Sequence, residues 1–310
     1  MWNGVNATLD AVKALDAHFI RLESRSPGLL PDFRRAARLI VASDYSGAHE
    51  ASDYDVFACI ITSEAAFARW DAARKQVRHV FRLGDRRISY TKLNDAQKVR
   101  ALGAFLNTVG AIDGLLCCLA INKKLPSLFN ASGTEWVHDP RLDEWRVWKP
   151  AVFERMLRIT SLVACVTAGL ATGEQSVIWA TDEDSIVSNQ AQADKLAKAF
   201  GNMAGTYSSG RIKAIRLLTT ASDTDRETED LAAVPDLAAG ALTDLFTALH
   251  ARGARLSNPL TLLIPDGVSG KAHQILHWLR VFGQPLRRVT FVVEQGRIAG
   301  DIDITQVNLS

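Results

Sequence analysis

The stretch Leu39-Ile40-Val41-Ala42-Ser43-Asp44-Tyr45-Ser46-Gly47 decides how this chain is read. Four apolar residues, two of them β-branched, run without a charge and then give way to Asp44, Ser46 and a glycine. A run so short and so apolar predicts a buried strand, and the polar residues behind it predict its exit from the core. Val177-Ile178-Trp179-Ala180 repeats the grammar and ends on Thr181-Asp182-Glu183-Asp184. Buried strands that end on carboxylates are expected in an open α/β sheet, where sites lie at strand ends and side chains escape the packed core.

Working outward, residues 54–62 are rich in β-formers and predict a second strand, after which Ser63 caps a helix from Glu64 to about Val80. Residues 86–90 are expected as a third strand leading into Thr91-Lys92-Leu93, with Asn94 or Asp95 capping a helix to about Val109. Residues 115–121 form another apolar strand, and Pro150 suits the first turn of a long helix to about Ala171. A helix over 189–203, a strand over 212–218, an acidic loop over 223–230 and a helix over 237–250, opened by Asp236, follow. The expected organisation is a helical N-terminal segment over 1–35 and a main domain over 36–254. A polar, Trp-rich insertion interrupts that domain over 122–147. An extension over 255–310 ends in a β-hairpin built from 289–293 and 298–304.

Composition bounds the function. The chain has 310 residues, 47% hydrophobic and 23% charged, with a formal net charge of +2. That is a globular protein with a real core and no polyelectrolyte, so attraction to nucleic acid has to come from local patches. None of the four cysteines stands in a C-x-x-C pair, which argues against a zinc signature or a disulfide framework. All lie in apolar stretches, as expected of core thiols in a reducing compartment. Residues 1–10 lack a basic start and an apolar run. The longest uncharged apolar segment, 159–173, falls short of the ~20 residues that span a bilayer. The expectation is a soluble, cytoplasmic protein with no membrane partner.

Three carboxylate positions share one logic. Asp44 and Asp182 follow buried strands, and Asp236 stands at an expected helix start behind Pro235. Singly, each is an ordinary turn former or helix cap. If they converge, their mutual repulsion calls for a hard cation such as Mg²⁺ or Mn²⁺. If the strand continues past Thr181, period-2 alternation puts Asp182 and Asp184 on one face, so Asp184 is a further candidate ligand.

These motifs, in this order, resemble a widespread bacterial family of domains of unknown function with a ribonuclease H-like fold. The family's first strand runs into Phe-x-Asp-Glu-Ser-Gly, to which Asp44-Tyr45-Ser46-Gly47 is similar. Ser89-Tyr90-Thr91-Lys92-Leu93 resembles its extended segment with a lysine. Val177 to Asp182 resembles its later strand with an acidic end. Leu231-Ala232-Ala233-Val234-Pro235-Asp236-Leu237-Ala238-Ala239-Gly240 is similar to its Leu-x-x-Ala-Asp-Leu-x-Ala-Gly helix. The resemblance spans about 38–250. It implies a ribonuclease H-like mixed sheet flanked by helices and a Mg²⁺- or Mn²⁺-dependent nuclease or related phosphoryl-transfer enzyme acting on DNA or RNA. Asp44 would bridge the ions, Asp182 or Asp184 and Asp236 would be terminal ligands, and Lys92 would face the scissile phosphate. Tyr45 stands where the family has Glu and Pro235 where Ala is usual. The alternative is therefore a catalytically degenerate module that keeps the fold and binds nucleic acid or a partner.

Residues 69–92 carry Arg69, Arg74, Lys75, Arg78, Arg82, Arg86, Arg87 and Lys92 against Asp71 and Asp85, a local net charge of +6. Such a surface draws phosphate backbones, and Arg78, Arg82, Arg86 and Arg87 are the expected nucleic-acid contacts. The acidic residues of 223–230 could pair with this stretch and shield it until a partner arrives. Gly267-Val268-Ser269-Gly270-Lys271 is only half of a phosphate loop, lacking the longer glycine spacing and the Ser/Thr after Lys, and is not read as a nucleotide site.

Overall fold

The sheet is centred on β1 (Arg38–Ser46), which pairs antiparallel with β2 (Tyr54–Ser63) and parallel with β4 (Gln175–Thr181). The computed structural model describes residues 1–125, 127, 143, 145–182, 185–219, 226–253, 260–296 and 302–309. β3 (Gly114–Asn122) runs antiparallel to β2, and β5 (Ile212–Thr219) runs parallel to β4. The order β3-β2-β1-β4-β5, with β2 running against the other four, is a mixed sheet, as expected of an α/β fold. The C-terminal part extends the same sheet beyond β3. β7 (Leu286–Gln295) pairs parallel with β3, β8 (Ile302–Leu309) antiparallel with β7, and the short β6 (Leu260–Leu262) parallel with β8.

Helices cover both faces. On one lie α1 (Asp10–Arg25), α4 (Pro150–Leu170) and α5 (Gln190–Tyr207). On the other lie α2 (Glu64–Val80), α3 (Ala96–Gly110), α6 (Glu227–Ala251) and α7 (Gly270–Leu279). Strand alternation sorts β1 between them: Leu39 and Val41 enter the α4-side core, while Ile40 and Ala42 enter the α6-side core. The expected caps are in place, with Ser63 accepting from the Ala66 amide and Asp95 from the Gln97 amide.

Two elements differ from the sequence expectation. Residues 86–90 form no strand; they run as an irregular connection between α2 and α3. Their polar groups are taken up by neighbouring elements instead of a ladder: Arg86 pairs with Asp95, Arg87 with Asp182, and Tyr90 with α6, its amide donating to Asp236 at 2.7 Å. The last long helix begins at Glu227, well before Asp236, and passes through Pro235. Proline removes one helix hydrogen bond and normally costs about 3 kcal/mol in a helix interior. Here Leu231, Val234, Leu237, Leu242 and Leu245 are all fully buried, and each contributes about 1.5–3 kcal/mol by burial, so packing overrides the local penalty. Asp236 therefore lies inside the helix and has no free N-terminal amides to stabilise it. Among the described residues, α6 is the one helix long and apolar enough to cross a membrane. Its most apolar window is 78% buried within the fold, as in a core helix.

Candidate functional site

β1 sits at the point where the sheet changes direction of growth, with β2 on one side and β4 on the other. In open α/β sheets the crevice outside the strand C-termini at such a point is the place for a site. The last registered pair of the β1–β4 ladder is Ser43 with Thr181, and Asp44 and Asp182 follow directly. By alternation both belong with Ala42 and Ala180, on the α6 side. Asp44 is half-buried and accepts from the amide of Tyr45 at 2.7 Å.

α6 supplies the third carboxylate and the frame around it. Asp236, Gly240 and Asp244 recur every four residues and so share one helix face. Tyr90 lies along that face. Its amide donates to Asp236, its hydroxyl donates to Asp244, and its ring passes over Gly240, where an added Cβ would come within 2.2 Å of the ring. Lys271, at the start of α7, closes the clamp. Its Nζ donates to the Tyr90 carbonyl at 2.8 Å and stands 4.2 Å from the ring centroid. Ser269 donates to Asp244 at 3.0 Å while capping α7. Burial, then the bond to Asp244, pushes the Tyr90 phenol upward in pKa, so it stays a neutral donor.

Arg87 links this clamp to the strand ends. Its guanidinium is ion-paired with Asp182, and its Nε lies 3.7 Å from the Glu229 carboxylate. Burial works against its charge, but the bond to Asp182 and the carboxylates of Asp182, Glu229 and Asp236 outweigh that and raise its pKa. Asp236 is pushed up to about 6, first by burial and further by the charge of Asp182; the Tyr90 amide, Arg87 and Lys271 restrain the rise. The site thus holds Asp182 and Asp236 around a basic side chain supplied by the protein itself.

The other candidate positions divide clearly. Lys92 is exposed, two residues beyond Tyr90, and the lysine that touches the Asp236 region is Lys271. Asp184 and Glu183 lie outside the described residues, as does Trp136 with most of the 122–147 insertion. Arg78 is bound to the fully buried Asp230 through Nε at 2.6 Å and Nη2 at 2.7 Å, and it also donates to the carbonyls of Gly84 and Arg86. Arg74, 1% exposed, joins the same Asp230 at 3.0 Å. Arg86 is exposed and pairs with Asp95, and Arg82 is exposed in the turn after α2. Part of the basic stretch is therefore neutralised inside the fold by Asp71, Asp182, Glu229 and Asp230, while Arg82, Arg86 and Lys92 face solvent. Trp148 is buried, stacked on Phe153 and bonded to the Ile186 carbonyl, so it serves packing.

Among the described residues, no three Asp, Glu, His or Cys side chains are grouped so as to hold a metal ion. No family model matches the chain and no curated protein matches it. The site is therefore interpreted from its own geometry.

Proposed function

We propose that the protein is a divalent-metal-dependent nuclease or related phosphoryl-transfer enzyme acting on DNA or RNA. One observation carries this reading: the ends of the adjacent parallel strands β1 and β4 deliver Asp44 and Asp182 to the face of the sheet on which Asp236 lies. Every candidate ligand is a carboxylate oxygen, the donor type that Mg²⁺ or Mn²⁺ takes, and Asp182 already pairs with a cation, Arg87. Since no three of the described side chains are grouped around one point, an ion here would take one or two of these carboxylates and complete its shell with water or substrate phosphate. Asp44, Asp182 and Asp236 are the candidates to hold the ion, with Asp184 as a further one. A bound ion would supply a water nucleophile near neutral pH and charge stabilisation at the leaving oxygen. The Tyr90 amide orients Asp236 by donating to its carboxylate, and Lys271 holds Tyr90 in turn by donating to its carbonyl. The exposed Arg82, Arg86 and Lys92 supply the charge that draws a phosphate backbone to this end of the molecule.

The second reading is a degenerate module that binds nucleic acid or a partner without turnover. The Arg87–Asp182 ion pair favours it, because a protein-supplied cation already compensates the carboxylates. One experiment separates the two. Single- and double-stranded DNA and RNA are incubated with the purified protein in Mg²⁺, Mn²⁺, Ca²⁺ or chelator. Cleavage in Mg²⁺ or Mn²⁺ that chelator abolishes, and that Asp44→Asn and Asp236→Asn each remove, supports the enzyme. Tight binding with no cleavage of any substrate supports the module.

A further inference from the structure

Four arginines near this end of the molecule meet buried or half-buried carboxylates, and they are not equivalent. Arg74 and Arg78 share Asp230 through several hydrogen bonds, and Arg74 is 1% exposed; these are internal ties. Arg226 pairs with Glu229 one turn along α6. Arg87 stands apart. It lies on the irregular 86–90 connection, its side chain keeps 27% exposure, and it serves Asp182 and Glu229 while acting on Asp236. Its buried Nε faces the Glu229 carboxylate at 3.7 Å without a hydrogen bond, so that side of the fork is held loosely. A planar guanidinium matches a phosphate through two parallel bonds as well as it matches a carboxylate. Arg82, Arg86 and Lys92, exposed on the same stretch, would bring such a phosphate close.

We propose that Arg87 is a resident counter-ion that holds the carboxylate site closed to divalent cations until a substrate phosphate draws it away, so that metal and nucleic acid load together. This rests on the metal-dependent reading above and specifies how that site is regulated. A divalent ion at this site competes with Arg87 for the Asp182 oxygens and, beside Asp236, is repelled by its charge. A phosphodiester that takes over the guanidinium removes both obstacles at once. Because linkage is reciprocal, the metal must tighten nucleic-acid binding by the factor by which nucleic acid tightens metal binding.

The test is a calorimetric titration of Mn²⁺ into the full-length wild type, Arg87→Gln and Arg87→Lys. Each is titrated alone and with a saturating phosphorothioate-linked decathymidylate, and Mn²⁺ uptake by the oligonucleotide itself is subtracted. Without oligonucleotide, Arg87→Gln should bind Mn²⁺ about tenfold more tightly than wild type, with Arg87→Lys between them. The oligonucleotide should tighten Mn²⁺ binding by wild type by a similar factor and leave Arg87→Gln unchanged. Equal or weaker Mn²⁺ binding by a folded Arg87→Gln, or no effect of oligonucleotide on wild type, overturns the gate while leaving the metal site standing. Failure of every protein to bind Mn²⁺, with or without oligonucleotide, overturns the gate and the metal-dependent reading together. If Arg87→Gln does not fold, the wild-type pair of titrations and Arg87→Lys decide the matter.

Discussion

Gly240→Ala tests the contact on which the site's geometry depends. A Cβ at this position would lie 2.2 Å from Cγ and 2.4 Å from Cδ1 of Tyr90, far inside ordinary contact, so the ring has to leave α6. Overpacking of this kind costs about 1–3 kcal/mol. Moving the ring also strains the bonds from its amide to Asp236 and from its hydroxyl to Asp244, each worth about 1.5–3 kcal/mol when the acceptor is charged. Against this, alanine is favoured over glycine in a helix by about 1 kcal/mol. The net expectation is a loss of about 3 kcal/mol at the low end of these ranges and about 8 kcal/mol if both bonds are lost outright. Tyr90→Ala removes the obstacle at its own cost of about 3–5 kcal/mol. In that background Gly240→Ala should change sign and stabilise by up to about 1 kcal/mol. Urea unfolding of the two single variants and the double variant, fitted with a common slope, measures the cycle. Additive effects of the two substitutions would refute the packing of Tyr90 against Gly240.

Four further outcomes follow from the same geometry. Asp236 has a folded-state pKa of about 6, above its ordinary value, so the metal-free fold holds this proton more tightly than the unfolded chain and loses stability as pH rises from about 4 through 6. The loss is about 3 kcal/mol, and Asp236→Asn should escape it, gaining on wild type in chelator-containing buffer as pH goes from 4 to 7. Asp230→Ala strands Arg74 and Arg78 and should cost about 3–5 kcal/mol in urea unfolding; a loss below 1 kcal/mol would mean the pair is not a structural tie. Arg82→Ala and Arg86→Ala should each flatten the log–log salt dependence of nucleic-acid binding by about 0.7–0.9, whereas Arg78→Ala should lower the melting temperature and leave that slope unchanged. Tyr45→Glu should leave Mn²⁺ affinity at the wild-type value, and a large gain would mean that position 45 reaches the Asp44 face.

Much of the fold could be read from local pattern. The buried strands beginning at Leu39 and Val177, the caps at Ser63 and Asp95, and the long helix at Pro150 each rest on interactions among near neighbours, which sequence periodicity reports directly. The misjudged elements depend on distant partners. Pro235 ends a helix by local rules, yet α6 continues through it because both sides of the proline are buried against the sheet. Residues 86–90 have strand-like composition, yet their amide, hydroxyl and ring are claimed by a helix about 150 residues further on. The same distance hid Lys271, which reaches Tyr90 from 181 residues away. Its only local signal was Gly267 to Lys271, where the spacing argued against a phosphate loop. Two glycines of the quoted motifs do have reasons visible only in three dimensions. Gly47 has φ +96° with the Tyr54 carbonyl 2.2 Å from where its Cβ would stand, and Gly240 makes room for Tyr90.

The departure at position 45 has its weight altered by the strand it sits on. Asp44 and Tyr45 are consecutive residues of β1, so they face opposite sides of the sheet. Tyr45 packs at 6.1 Å from Phe57, lies under the Arg155 guanidinium, and shares a hydrogen bond with Ser185. All of this is on the α4 side, so a glutamate there would not add an oxygen to the face that holds Asp182 and Asp236. What governs that face is the chain of contacts from α6 outward. Gly240 admits the Tyr90 ring, and Asp236 and Asp244 hold that residue at both ends. The connection so fixed carries Arg87, three residues earlier, to Asp182. The structural role of the α6 carboxylates and their candidate chemical role are thus the same arrangement seen from two ends. Any change that frees Tyr90 also releases the arginine that compensates Asp182.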